Sequence, residues 1–403
     1  MLGRIKCAIC GAAHHHLGPH LDVEHGMTVA AYVAAYPGMP TVSEELLNKA
    51  KEANGRGRRQ VPPEPMDLTI NLAAMKFAVD AGVPADACLG IPECYRTPTY
   101  GKLGEDVQMA LIAIASGFHT YIHGGPGTGK DALPHAFAGM TRRPSEIYSV
   151  RPDADIESWF YTQGFTKDGD VWHEGSLLKQ LRDGYTTTDG RTVPYLILIS
   201  DFDRATKGQA EAMRLILDSI MGRVMGPMGK CYPVLEGTTI VVTANSAGGG
   251  DETGRCISSN PIDSSIMDRF QAGIKFHDMD WQDEEPICKA KFPDLVATNP
   301  ALFQQIGNAT KALRAAVAKD ELYAEFSHRG VCNWLSACRA LIKWEGPNTR
   351  ALLKRSARMG FVDKLADGET RLAAQRLIDP HIKGGALDQG GGSRAGLGNL
   401  ADL

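Results

Sequence analysis

Residues 123–134 read HGGPGTGKDALP, and this stretch decides the fold. Gly124, Gly125, Pro126, Gly127, Thr128, Gly129 and Lys130 spell a loop that holds nucleotide phosphates. Glycines at 124, 127 and 129 let the backbone turn its N–H groups toward a β-phosphate, and Lys130 reaches the β and γ oxygens. Asp131 and Ala132 then open a helix whose positive end points at the same oxygens. The expected ligand is ATP with Mg²⁺. Asp131 is the anomaly, because a serine or threonine hydroxyl ordinarily stands there to ligate the metal.

The flanking sequence supplies the required strand, loop and helix. EDVQMALIAIASGF (105–118) has helical periodicity, and HTYIHGG (119–125) is a short β-rich run that enters the glycine loop. Further β-like runs, PYLILIS (194–200) and TTIVVTAN (238–245), alternate with helix-like stretches such as GQAEAMRLILDSIM (208–221). That alternation predicts an α/β fold, a parallel sheet with helices on both faces. Beyond Asp283 the strand signals stop, and ALFQQIGNATKALRAAVA, VCNWLSACRALIKW and ETRLAAQRLI read as a helical lid. The expected organisation is a metal-binding module (1–45), a linker and pre-core segment (46–95), an ATPase core (96–283), a helical lid (284–383) and a flexible Gly-rich tail (384–403).

A nucleotide site of this kind needs an acidic pair at the end of an apolar strand. Here YLILIS runs into DFDRA, and two registers are open. In one, Ser200 takes the place of the metal-associated carboxylate, and Asp201 takes that of the residue orienting the attacking water. Hydroxyl and carboxylate have then changed places, with Asp131 on the loop and Ser200 on the strand as Mg²⁺ ligands, directly or through a bound water. Mg²⁺ demands oxygens in octahedral array and keeps several waters, so the exchange conserves charge and is chemically permissible. In the other, Asp201 is the metal carboxylate and Phe202 stands where the catalytic acid belongs, giving a protein that binds nucleotide but hydrolyses it poorly.

From about Gly104 to Asp283 the chain resembles the AAA+ ATPases of the MoxR group and, within it, the CobS-type ATPase subunit of aerobic cobaltochelatase. The resemblance rests on GFHTYIHGGPGTGK, SDFDRATKGQAEAMRLILD, TTIVVTANSAGGGDETG and IDSSIMDRF, in that order. It implies that Asn245 is the sensor holding the attacking water, that Arg269 is an arginine finger offered to a neighbouring subunit, and that Arg329 is a second sensor on the lid. An arginine acting in trans implies a homo-oligomer, in this family a hexameric ring. The usual partner is a client protein or one carrying a von Willebrand factor A domain. DGDVWHEGSLLKQLRDG (168–184) and GRVMGPMGKCYPVLEG (222–237) resemble the family's inserted hairpins, with Trp159 and Trp172 as candidate grips on a partner.

The first residues carry a second signature, CAICGAAHHHLGPHLDVEHGMTVAAYVAAYP. Cys7, Cys10, His20 and His25 form a Cys₂His₂ set suited to tetrahedral Zn²⁺, with His16 as an alternative ligand. The unit resembles the prokaryotic zinc finger of the Ros/MucR regulators. Thr28 is expected to cap a helix whose Val29, Tyr32, Val33 and Tyr36 face the finger. Lys49, Lys51, Arg56, Arg58 and Arg59 form a short basic arm, but Asp22 and Glu24 stand where a DNA-reading helix would prefer cations. The reading therefore favours a protein partner over nucleic acid. A DNA-binding regulator with a nucleotide-switched lobe, and a structural ring held by ATP with little hydrolysis, stay open.

Composition sets the outer bounds. The chain has 403 residues, 43% of them hydrophobic, with a formal charge of −4, so any nucleic-acid or membrane attraction must come from a local patch. No apolar run approaches the roughly 20 residues a bilayer requires, and the start, MLGRIKCAIC, lacks a signal-peptide core, which predicts a cytoplasmic setting. Nine cysteines, spread thinly, read as reduced thiols apart from metal ligands.

Overall fold

A computed structural model describes residues 5–14, 17–37, 39–41, 43, 79–166, 169–218, 222–250, 259–345 and 350–382. Residues 46–78 of the expected linker and pre-core segment, the basic arm, His16 and the Gly-rich tail lie outside these residues, as does the side chain of Asp22. The chain divides into two compact units, Met1–Thr69 and Ile70–Leu403.

The larger unit is built on five parallel strands: β1 (Thr120–Gly124), β2 (Ser145–Ser149), β3 (Leu196–Ser200), β4 (Thr239–Ala244) and β5 (Ala272–Phe276). Their spatial order is β5-β1-β4-β3-β2. The phosphate-loop strand and the acidic strand are thus separated by the strand that leads into Asn245. Successive side chains of one strand point to opposite faces, and both faces here are covered. Leu196, Leu198 and Val241 pack with Leu103, Val107, Leu133 and Phe137, from the helices Gly101–Ala115 and Ala132–Thr141. Ile197, Ile199 and Val242 pack on the other side with Leu177, Leu181 and Met213. This is why LILIS is an unbroken apolar run with no alternation. Each such side chain contributes about 1.5–3 kcal/mol on burial.

The two outer strands escaped sequence reading for the complementary reason. β2 and β5 are the edges of the sheet, where Glu146, Ser149 and Lys275 are exposed to water. SEIYS and AGIKF therefore lack the apolar run that marks central strands. The helix expected over 208–221 is also shorter than its pattern, spanning Lys207–Met213. Arg214 N–H turns to the Glu211 carbonyl, tightening the last turn, and Ile216 and Leu217 enter the core beyond it.

The helical lobe follows the last strand. Trp281–Lys291, Ala301–Ala318, His328–Glu345, Arg350–Gly360 and Gly368–Ile378 enclose a core of their own around Trp334, Phe303 and Phe292. Hairpins of the sheet unit include Tyr161–Thr166 with Gly169–Glu174 and Arg223–Met225 with Cys231–Pro233; the second lies within the expected 222–237, but only the returning strand of the first falls within 168–184, where the helix Ser176–Asp183 follows it. Trp159 and Trp172 are half-buried against Tyr148 and Tyr161. No helix among the described residues is long and apolar enough to cross a membrane.

Candidate nucleotide and metal sites

The glycines of the loop are required by what lies around them. Gly124 has φ +156°, and a Cβ there would stand 2.4 Å from the Phe276 carbonyl oxygen of β5. Gly127 has φ +78°, and its Cβ would meet Ser327 Oγ at 2.5 Å and Arg329 Cβ at 3.3 Å. The start of the lid helix His328–Glu345 thus sits directly on the loop, and the two close only because no side chain intervenes. Lys130 Nζ donates to the carbonyls of Gly124 and Gly125 at 2.8 Å each and to Asn245 Oδ1 at 3.1 Å. Thr128 Oγ1 donates to the Gly125 carbonyl at 3.0 Å. A cavity of about 430 Å³ opens beside the loop, reaching Gly125, Pro126, Asn245, Lys275 and Arg314. A fixed ammonium, positive-φ glycines and a helix N-terminus form a donor set that fits an anionic nucleotide, in a cavity lined by charges of both signs, Lys275 and Arg314 with Asp278 and Glu325.

Around the strand ends the polar groups fall in a row. Ser149 and Ser200 are register partners on β2 and β3, and their hydroxyls meet at 2.7 Å. Thr243 of β4 is one step past the Val242–Ile199 pair, which places it beside Ser200. Its hydroxyl donates to Asp131 Oδ1 at 2.5 Å. Three hydroxyls and one carboxylate therefore line the edge under the loop, an oxygen set of the kind a hard cation takes. Asp201 is the next residue, half-buried, with φ 55° and ψ 39°. Phe202 is fully buried against Phe270.

Sequence reading missed Asp203. It is fully buried, and its Oδ2 accepts the Asn245 N–H at 3.1 Å and the Ser259 hydroxyl. This carboxylate pins the end of the sensor strand to the turn after β3. The second acid of DFD was the available signal. Thr243 and Ser149 were missed because nothing in a single strand shows which neighbour it will pair with.

The arginines divide. Arg329 stands exposed at the loop. Arg269 Nη1 donates to the Ser265 carbonyl on its own helical turn. Its Nε is buried with no partner among the described residues.

The N-terminal unit brings its four expected ligands together. Cys7 Sγ lies 3.7 Å from His25 Nε2, Cys10 Sγ lies 3.2 Å from His20 Nε2, and all four ligand atoms are within 4.8 Å of one another. Thr28 caps the helix Val29–Ala35, its Oγ1 accepting the Ala31 N–H at 3.2 Å. Only half of the expected apolar face is buried. Tyr32 and Tyr36 pack on Cys7, Leu17 and Leu21, while Val29 and Val33 are exposed to solvent. Four residues apart, the tyrosines share one stripe, and the unit is too small to cover a second.

No family model and no curated protein matches the chain. Among solved structures, the Thermotoga maritima RuvB Holliday junction branch migration motor is 13% identical, covering 66% of this chain and 72% of that one at a TM-score of 0.40. A point mutant of the same RuvB covers 63% and 68% at 13% identity and a TM-score of 0.40. A putative ATPase from Cytophaga hutchinsonii ATCC 33406 is also 13% identical, with 70% and 92% covered and a TM-score of 0.33. Likeness at this distance carries no argument about activity. The strand order, the glycine loop and the helical lobe carry the fold. It is an α/β fold, a five-stranded parallel sheet carrying a phosphate-type loop and followed by a helical lobe.

Proposed function

We propose that the protein is an AAA+ ATPase that binds and hydrolyses ATP with Mg²⁺ and works as a ring. The observation that carries this reading is the Lys130–Asn245 contact at 3.1 Å, which joins the loop ammonium to the sensor amide at one point. Bound ATP supplies an activated phosphoryl group. Lys130 and the loop N–H groups hold its phosphates, and Arg329 adds positive charge from the lid. Asn245 orients water, and Asp201 accepts the proton. Asp131 and Ser200, backed by Thr243 and Ser149, are the Mg²⁺ side of the site. Arg269 serves a neighbouring subunit after leaving its own helical turn.

The finer reading is a MoxR/CobS-like machine that uses turnover to remodel a client protein or assist metal insertion, with a von Willebrand factor A-domain protein as partner. Cys7, Cys10, His20 and His25 hold Zn²⁺ in an adaptor module. Their convergence supports the metal, and the tetrahedral Cys₂His₂ set is characteristic of structural zinc.

Phosphate release and equilibrium ATP binding, measured on the wild type, Lys130→Ala and Asp201→Asn, test the proposal. The wild type is expected to do both, Lys130→Ala neither, and Asp201→Asn to bind without turning over. Undiminished turnover in Asp201→Asn would remove Asp201 from the mechanism, and failure of the wild type to bind ATP would remove the whole reading.

A further inference from the structure

The helical lobe contains a second cluster of soft ligands that the nucleotide chemistry does not use. Cys288 lies on the helix Trp281–Lys291, and His328 and Cys332 lie four residues apart at the start of His328–Glu345. Cys332 Sγ is 3.4 Å from His328 Nε2. The ligand atoms of Cys288, His328 and Cys332 are all within 4.8 Å of one another. Both cysteines are buried.

Behind the histidine stands Glu284, fully buried one turn before Cys288. Its Oε1 lies 3.0 Å from His328 Nδ1. The bond assigns the proton to Nδ1 and leaves the Nε2 lone pair facing the two sulfurs. Arg314 neutralises Glu284 with two bonds, at 2.8 and 3.2 Å. It is fixed in turn by the carbonyls of Met279 and Phe326.

We propose that Cys288, His328 and Cys332 bind Zn²⁺, with Glu284 orienting the histidine and a water completing the tetrahedron. Zinc with Zn–S near 2.3 Å and Zn–N near 2.0–2.1 Å in tetrahedral array sets S···N separations of about 3.5 Å, which the Cys332–His328 pair already has. A carboxylate on the far nitrogen is the usual support of a zinc-bound imidazole. Charge also balances: two thiolates and a neutral imidazole cancel Zn²⁺, and Glu284 and Arg314 cancel each other, so no net charge is buried. An ordinary buried thiol on the same helix looks different. Cys338 has one hydroxyl partner, Ser356 Oγ at 3.0 Å, and belongs to no Cys/His cluster among the described residues.

The metal would tie the first lid helix to the helix whose start, Ser327 and Arg329, rests on Gly127. It would hold Arg329 in place over the phosphate loop whether or not nucleotide is hydrolysed.

Zinc is counted by elemental analysis on the full-length protein after equilibration with zinc sulfate and removal of excess. A Cys7→Ser/Cys10→Ser background removes the N-terminal site from the count. In that background one zinc per chain is expected, falling to none on adding Cys288→Ser/Cys332→Ser and staying at one with Cys338→Ser. Cobalt substituted into the same background should give intense visible d–d bands and a near-ultraviolet thiolate band, both lost with Cys332→Ser. Alkylation followed by peptide mass analysis covers the case of a variant that fails to fold. In the wild type, Cys288 and Cys332 should be protected with zinc and labelled after chelation. No zinc in the Cys7→Ser/Cys10→Ser protein, unchanged content after loss of Cys288 and Cys332, or labelling indifferent to chelation would each overturn the assignment.

Discussion

Asp131 accepts a hydrogen bond from Thr243 at 2.5 Å, linking the end of the phosphate loop to the strand that carries the sensor. The loop position that ordinarily offers a hydroxyl offers a carboxylate, and the hydroxyl beside it belongs to the sheet. If carboxylate and hydroxyl have exchanged roles around one cation, Asp131→Ser and Ser200→Asp should each lower Mg²⁺-dependent phosphate release about 10- to 100-fold, the range for disturbed metal surroundings. The double exchange should recover most of it. Independent, multiplying losses in steady-state rates would show that the two positions do not share a metal.

Gly127→Ala tests the contact between lid and loop. The added methyl meets Ser327 Oγ at 2.5 Å on a backbone with φ +78°, so a cost of about 1–3 kcal/mol in thermal or urea stability is expected, together with weaker ATP binding. Gly125→Ala is the control, since its nearest neighbour would be 3.9 Å away. Calorimetric affinity and melting temperature should separate the two variants.

Arg269 is the test of assembly. Its guanidinium is bonded to its own Ser265 carbonyl, so a role in catalysis requires it to swing toward another chain. Arg269→Ala and Asp201→Asn should both be inactive alone. Mixed one to one, about a quarter of the interfaces in a randomly assembled ring pair an intact site with an intact arginine, and phosphate release should return in proportion. No recovery on mixing would place Arg269 in cis or outside catalysis.

His119 sets a pH dependence of stability. Burial pushes its pKa down to about 4, and its Nδ1 accepts the Ile240 N–H at 3.3 Å, which only the neutral ring can do. The unfolded chain takes up a proton near pH 6.5, while the folded chain resists until about 4. Stability is therefore lost as pH falls through that window, by up to about 3 kcal/mol, and is fully present above it. Urea midpoints at pH 7.5 and 4.5 should differ more for the wild type than for His119→Gln.

The legible parts of the chain are those where one element suffices to reveal the chemistry. GGPGTGK announces the loop because its contacts are made by its own backbone, and LILIS and TIVVTA announce central strands because both faces are covered. The edges β2 and β5 carry water-facing residues and give no such signal. The Cys₂His₂ set was legible because its ligands fall within one short stretch. Cys288, His328 and Cys332 are divided between helices, and only packing brings them together. Asp203 and Thr243 were hidden for the same reason, since their partners come from other strands and turns.

The helix resting on Gly127 runs 18 residues, from His328 to Glu345, a rod of about 27 Å. Near its far end Trp344 is 78% exposed. A tilt of about 10° at the loop would carry that indole through roughly 5 Å by the same geometry, so a rearrangement that tilted the helix would be felt most at this bulky aromatic on the periphery. Such a helix would act as a lever, its short arm against Gly127 and its long arm ending in the indole.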